Sequence, residues 1–282
     1  MTLHTTLVSV DELAALAAEG VLIVDCRTDL ADRSKSEQAY REGHIPGAVY
    51  ASLEDDLSDL SRIPQGLGRH PLPMESAFSA LLSRWGWQPG MQVVAYDSAG
   101  GALAAARLWW MLRLIGVRDV AVLDGGYQAW LAAGRPVETK VQERAASNVS
   151  VHYDPAQVLF EYDASDRSGA LLIDARANPR FRGDIEPLDP VAGHVPGARN
   201  RPYGDNLDEQ GRFKSAATLR EEFRSILGDS TADRVVHMCG SGVTACHNLL
   251  AMEHAGLHGA RLYAPSWSGW VSNRSRPVAK GD

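Results

Sequence analysis

Val235-Val236-His237-Met238-Cys239-Gly240-Ser241-Gly242-Val243-Thr244-Ala245 runs directly into Cys246-His247-Asn248-Leu249-Leu250. An apolar run of strand character ends in a cysteine, two glycines permit a tight turn, and Leu249, Leu250 and Met252 open a helical pattern. The Cys239 thiol is therefore expected where a strand hands over to a helix. A helix N-terminus carries roughly half a positive charge, and Gly240 and Gly242 can take positive φ so that successive backbone N–H groups point toward the sulfur. The thiolate is the nucleophilic form of cysteine, and such surroundings favour it. A cysteine that only packs beneath a strand needs no glycine frame.

With 282 residues the chain has room for two domains of ordinary size. At 45% apolar and 22% charged it has the composition of a globular protein. The net charge of −7, with no Lys/Arg block, argues against a nucleic-acid partner. Residues 1–20 show neither a basic n-region nor a long apolar run, so no signal peptide and no membrane partner are expected. Three cysteines, Cys26, Cys239 and Cys246, make neither a disulfide framework nor a metal-binding spacing, which fits a reducing, cytoplasmic setting. Neither a metal nor another cofactor is implied.

Laying one half of the chain over the other exposes a duplication. The strand Val21-Leu22-Ile23-Val24-Asp25-Cys26-Arg27 matches Leu171-Leu172-Ile173-Asp174-Ala175-Arg176. Gly43-His44-Ile45-Pro46-Gly47-Ala48 matches Gly193-His194-Val195-Pro196-Gly197-Ala198. Val93-Val94-Ala95-Tyr96-Asp97 stands where Val235-Val236-His237-Met238-Cys239 stands, and Asp124-Gly125-Gly126-Tyr127-Gln128-Ala129-Trp130 lies over Ala264-Pro265-Ser266-Trp267-Ser268-Gly269-Trp270. Four blocks in one order mean two copies of one domain.

The first copy carries Asp97 in place of the cysteine, which predicts an inactive domain over 1–137 and a catalytic one over 151–282. The polar run 138–150 is expected to be the linker. Short apolar strands alternate with helical stretches such as 104–112 and 219–223, so each copy is expected to be α/β, with a mainly parallel sheet and helices on both faces. Ligands of such sheets gather at the carboxyl ends of the strands, where Cys239 falls.

These features resemble the tandem-domain rhodanese-like sulfurtransferases, and among them the 3-mercaptopyruvate type. Tyr40-Arg41-Glu42-Gly43-His44-Ile45-Pro46-Gly47-Ala48 is similar to the family's first signature, and Cys239-Gly240-Ser241-Gly242-Val243-Thr244 to its mercaptopyruvate-type active loop. The likeness spans nearly the whole chain. It implies two rhodanese-like domains and a Cys239 persulfide, loaded from 3-mercaptopyruvate or thiosulfate and unloaded to a thiol, thioredoxin among them, or to cyanide.

The resemblance also assigns roles. Ser241 would polarise the donor carbonyl or relay a proton, together with a histidine and an acid from the other domain. His70 looks like that histidine, and Glu54, Asp55 or Asp56 the acid. Gly240, Gly242, Val243 and Thr244 would line the substrate loop, and Arg180 would grip the donor carboxylate with its planar fork. The family's second arginine, nine residues on, is here Asp189, so Arg182, Arg199 or Arg201 is expected to replace it, or the donor differs. An arginine restored at position 189 would then lower KM. The loop itself carries no cation, which suits a single carboxylate better than the compact thiosulfate dianion.

Other motifs read as scaffold. His44 and His194 precede the same turn in both copies, Trp109, Trp110 and Trp130 read as packing, and Cys246 as a packed thiol. Two other classes remain to compare. A cysteine phosphatase needs Cys-x5-Arg, and the sixth residue after Cys239 is Ala245. A sulfur-carrier or binding module for a protein acceptor would use the same loop without turnover of a small molecule.

Overall fold

The computed structural model describes residues 3–16, 20–29, 32–163 and 170–282. Of the N-terminal stretch read for a leader, residues 1, 2 and 17–19 lie outside these. The chain divides into two compact units. The first comprises Met1–Ser58, Pro73–Asp154 and Glu209–Phe213; the second comprises Asp59–Leu72, Pro155–Asp208 and Lys214–Asp282.

In the first unit the elements are β1 (Leu7–Val8), α1 (Val10–Leu16), β2 (Leu22–Asp25), α2 (Arg33–Glu42), β3 (Val49–Tyr50), α3 (Glu75–Arg84), β4 (Val93–Tyr96), α4 (Ala105–Leu114), β5 (Val120–Leu123) and α5 (Gly126–Ala132). Its sheet has the order β1-β5-β4-β2-β3 with every pair parallel. In the second unit they are β6 (Val158–Leu159), β7 (Leu171–Asp174), α6 (Asn178–Arg182), β8 (Arg199–Asn200), α7 (Ala216–Leu227), β9 (Val235–Met238), α8 (Ala245–His254), β10 (Arg261–Tyr263) and α9 (Ser266–Ser272). That sheet runs β6-β10-β9-β7-β8, again all parallel, so the duplication holds strand by strand.

The central strands are apolar on both faces because both faces are covered, as parallel sheets require. Side chains alternate across a strand. Ile23, Val94, Tyr96, Ala121 and Leu123 pack with Leu13 and Leu16 of α1 and with Tyr127 and Trp130 of α5. Their neighbours Leu22, Val24, Val93, Ala95, Val120 and Val122 are equally buried and point to the other side. In the second sheet Leu172, Val236, Met238 and Tyr263 pack with Trp267 and Trp270 of α9. His237 faces the opposite way, edge-on to Phe223 of α7 and with Nε2 3.0 Å from the Met252 sulfur of α8. Burial there pulls its pKa down to about 3, so the imidazole is neutral.

Each copy repeats one polar device, at the end of β2 in the first and of β7 in the second. Arg27 forks onto Asp25 and donates to the Gly43 carbonyl at 2.7 Å; Arg176 forks onto Asp174 and donates to the Gly193 carbonyl at 2.8 Å. His44 and His194 are tied to main chain, their Nδ1 atoms 2.7 Å from the Tyr40 carbonyl and 2.9 Å from that of Phe181. The run 138–150 hydrogen-bonds within the first unit, Glu138 pairing with His44 in both directions at 2.9 Å and the Ser147 N–H reaching the Ser83 carbonyl at 2.9 Å.

Candidate active site

Cys239 follows the last residue of β9, and residues 240–244 carry the chain into α8. The start of α9 fixes this loop from beneath. Trp267 and Ser268 donate their N–H groups to the carbonyls of Cys239 and Gly240, both at 2.9 Å. The Cys239 N–H donates to Ser266 Oγ at 3.1 Å, and that hydroxyl donates to the Tyr263 carbonyl at 3.0 Å. The Val243 and Thr244 carbonyls accept from the N–H groups of Cys246 and His247 at 3.0 and 3.2 Å and so begin the helix.

The two loop glycines serve different needs. Gly242 has φ 78°, a left-handed turn. Gly240 does not use the positive φ open to it; what it provides is room. A Cβ on Gly240 would stand 3.0 Å from Arg69 Nη2 and 3.6 Å from both terminal nitrogens of Arg180.

Ser241 is buried, and its Oγ lies 2.8 Å from Nδ1 of His70. The expectation that this histidine comes from the first copy needs restating: residues 59–72 interrupt the first copy in sequence but pack with the second unit. Gly68 lets them do so, since at φ 87° its Cα is so near α9 that a Cβ would fall 2.4 Å from the Pro265 carbonyl oxygen. The Arg69 N–H then donates to Ser268 Oγ at 3.0 Å.

Arg180, on α6, donates from Nη2 to Glu186 at 2.6 Å and to Asp189 at 3.3 Å. Asp189 also takes a hydrogen bond from Nη1 of Arg69. The Asp189 and Glu186 side chains are 2% and 3% exposed. Burial alone would raise the Glu186 carboxyl, but hydrogen bonds from Arg180 and the Leu188 N–H hold it below the usual range. None of the three arginines expected to replace the missing one is here. Arg182 pairs with Asp184 and Asp282, Arg199 caps the Ile226 carbonyl, and Arg201 pairs with Glu222 at 2.5 Å. The cation beside Arg180 is Arg69, the residue before His70.

Glu54, Asp55 and Asp56 belong to the first unit. Asp55 accepts from Arg33 at 2.5 Å and from Ser52 Oγ at 3.1 Å, and the Arg33 bond lowers its pKa. Asp56 pairs with Arg84 at 2.7 Å, and Glu54 stands 4.0 Å from Arg33 Nε. The other cysteines are buried: burial pushes the Cys26 thiol well up, and Cys246 donates its S–H to the Gly242 carbonyl at 3.4 Å.

The first copy displays what this loop can hold. Asp97 is fully buried, and its carboxylate accepts five backbone N–H groups: Ala99 and Gly101 at 2.8 and 2.9 Å, and Leu103, Ala104 and Ala105 each at 3.1 Å. Its carbonyl accepts the Tyr127 N–H at 2.9 Å, as that of Cys239 accepts the Trp267 N–H. A strand–loop–helix junction of this kind thus holds an anion on main-chain donors alone.

Residues 9–133 and 161–273 each match the rhodanese-like domain. The chain belongs to the rhodanese-like family. A Pseudomonas aeruginosa protein, provisionally named a 3-mercaptopyruvate sulfurtransferase, is 44% identical over 289 residues, covering 98% of each chain. A Mycobacterium tuberculosis protein, SseB, provisionally named a thiosulfate sulfurtransferase, is 40% identical over 98% of this rhodanese-like chain and 97% of its own. The crystal structure of SseA from Escherichia coli, described among 3-mercaptopyruvate sulfotransferases, superposes with a TM-score of 0.80 at 31% identity, covering 94% of this chain and 99% of that one. Among the described residues, no His/Cys/Asp/Glu group could hold a metal and no helix is long and apolar enough to cross a membrane.

Proposed function

We propose that this rhodanese-like protein is a sulfurtransferase that takes sulfur from 3-mercaptopyruvate onto Cys239 and passes it to a thiol or to cyanide. The observation that carries this reading is the grouping around one loop. Cys239 stands beside a Ser241–His70 pair at 2.8 Å and beside two guanidinium groups that converge on Gly240. Mercaptopyruvate has a matching sulfur, carbonyl and carboxylate.

The Cys239 thiolate attacks the donor sulfur, an S–S bond forms and the donor C–S bond breaks. The electron pair of that bond passes into the enolate of pyruvate, whose developing negative oxygen Ser241 stabilises by donating its hydroxyl proton in a hydrogen bond. The proton of the donor S–H ends on the enolate carbon, giving pyruvate and the Cys239 persulfide. An acceptor thiolate then attacks the outer sulfur and leaves as its own persulfide, releasing the Cys239 thiolate; cyanide leaves as thiocyanate. Gly240, Gly242, Val243 and Thr244 shape the loop, and Arg180 binds the carboxylate. Asp97 leaves the first copy without a nucleophile. A thioredoxin-type dithiol in a reducing cytoplasm would serve as acceptor, which suits a chain with three free cysteines.

The charge around the loop supports a monocarboxylate donor. Arg69 and Arg180 are balanced by Asp189 and Glu186, so the site offers oriented N–H groups without net positive charge. Thiosulfate is the second reading, favoured by the bare presence of two guanidiniums and by the likeness to SseB. The test is to compare kcat/KM for the two donors and to weigh the intact protein after each. A sulfur adduct of about 32 Da that vanishes in Cys239→Ser is expected. Better turnover of thiosulfate would replace the donor, and an adduct that survives Cys239→Ser would end the assignment.

A further inference from the structure

We infer that Arg69 is a second substrate-binding arginine of this site, and that buried Asp189 is the residue that positions it. The inference rests on the sulfur-transfer reading above and specifies which groups take the donor's anionic end.

Four observations carry it. First, Arg69 and Arg180 reach the same place, for a Cβ on Gly240 would meet Arg69 Nη2 at 3.0 Å and Arg180 Nη1 at 3.6 Å. Second, each arginine brings one unengaged terminal nitrogen to Gly240, beside Arg180 Nη2, which is equally near and bonded to Glu186 and Asp189. Arg69 spends Nη1 on Asp189, and Arg180 spends Nε and Nη2 on Glu186 and Asp189, while Arg69 Nη2 and Arg180 Nη1 make no hydrogen bond among the described residues. Third, Asp189 is 2% exposed and accepts from both arginines, so it fixes the two planar forks relative to one another. Fourth, Arg69 keeps 30% of its side chain exposed, so its open edge is accessible to a solute.

Asp189 therefore does not repel the substrate. A lone buried carboxylate facing the pocket would, but this one is shared by two guanidinium groups. The cation that the family resemblance places at position 189 enters instead from position 69, and position 189 supplies its counter-charge. Two forks sharing one anchor can present a pair of parallel N–H groups to a single carboxylate.

The test measures KM and kcat with 3-mercaptopyruvate, and inhibition by pyruvate as a carboxylate probe that carries no sulfur. Arg69→Met should raise KM and weaken pyruvate inhibition about ten- to hundred-fold, the loss expected for one charge-assisted hydrogen bond, with kcat little changed. Asp189→Arg should raise KM as well, because it sets three guanidiniums together and removes the anchor. The reciprocal variant Arg69→Asp/Asp189→Arg should bind pyruvate better than Arg69→Asp. Should Arg69→Met fail to fold, Arg69→Lys retains the charge without the fork and is expected to show the same KM rise in smaller degree.

An unchanged KM and unchanged pyruvate inhibition in Arg69→Met would overturn the inference, as would an Asp189→Arg variant with lower KM. Failure of the donor assignment looks different. A wild-type chain loaded by thiosulfate and not by mercaptopyruvate would change the donor, and the same Arg69 comparison would then be read on KM for thiosulfate.

Discussion

Ser266 holds Cys239 from below: its hydroxyl accepts the Cys239 N–H at 3.1 Å while its own backbone sits at φ 53°. Among the described residues it is the one non-glycine at positive φ, and the first copy places Gly126 there at φ 59°. A side chain in this conformation costs about 1–3 kcal/mol. The second copy bears that strain where a hydroxyl can bond the main chain of its cysteine. Ser266→Ala keeps the strain and orphans a buried N–H, so it should lower stability by about 1–3 kcal/mol and slow sulfur uptake. Ser266→Gly loses the same bond but relieves the strain, so it should be nearer wild type in Tm and equally slow in uptake. Thermal melts and single-turnover loading of the two variants separate stability from positioning; wild-type loading rates in both would show that the hydroxyl does not position the thiol.

Gly240 and Gly68 make an informative pair, because each has a neighbour that a Cβ would meet but of different kind. At Gly240 the neighbours are the ends of two arginine side chains, nearest at 3.0 Å, which can swing away. Gly240→Ala should fold with Tm close to wild type and raise KM about as much as loss of one guanidinium contact, roughly tenfold. At Gly68 the neighbour is the Pro265 carbonyl at 2.4 Å, which cannot move without α9. Gly68→Ala should therefore detach residues 59–72, with kcat falling as Ser241 loses His70. Equal effects of the two substitutions on kcat and KM would contradict this division.

Much of the molecule was legible because it is written in local pattern. The apolar residues 22–24, 93–96, 172–173 and 235–236 are buried on both faces, and such continuous apolarity announces a parallel sheet. Cys239 was legible because a strand run, two glycines and a helix start surround it. Arg69 was not, because its partner Asp189 lies 120 residues away and charge exchange between distant positions leaves no mark on either neighbourhood. Gly240 was half legible: its identity signalled a backbone need, but the need is space for two side chains rather than a left-handed turn. His70 was found by its motif, yet its assignment to the second unit depends on how residues 59–72 pack.

That packing bears on truncation. A fragment of residues 151–282 retains Cys239, Ser241 and Arg180 but lacks the 59–72 segment of its own unit, and with it Arg69 and His70. It should load sulfur from 3-mercaptopyruvate far more slowly than the full chain, and its pyruvate inhibition should be weakened as in Arg69→Met. Adding residues 59–72 as a separate peptide should restore part of the rate. A bare fragment with full-chain kcat/KM would mean that neither Arg69 nor His70 takes part.

Acid stability gives a test of the sheet beneath the site. His237 is fully buried between Phe223 and the Met252 sulfur, its Nδ1 has no hydrogen-bond partner, and desolvation lowers its pKa from 6.5 to about 3. Because the folded-state value is the lower one, the unfolded chain binds a proton that the folded chain refuses between those limits. This residue therefore subtracts nothing above pH 6.5, and its destabilising effect grows as pH falls from 6.5 toward 3, by roughly 1.4 kcal/mol per pH unit. His237→Leu removes the titration and an unsatisfied nitrogen while keeping an apolar side chain against Phe223. At pH 7.5 the variant and wild type should differ by no more than the usual effect of a core replacement, about 1.5 kcal/mol. From pH 6 to pH 4 the variant should become progressively the more stable of the two, and the carboxylates, common to both, cancel in the difference. Unfolding midpoints measured in denaturant across that range check the sign, and parallel curves would show that His237 takes up its proton without leaving the folded sheet.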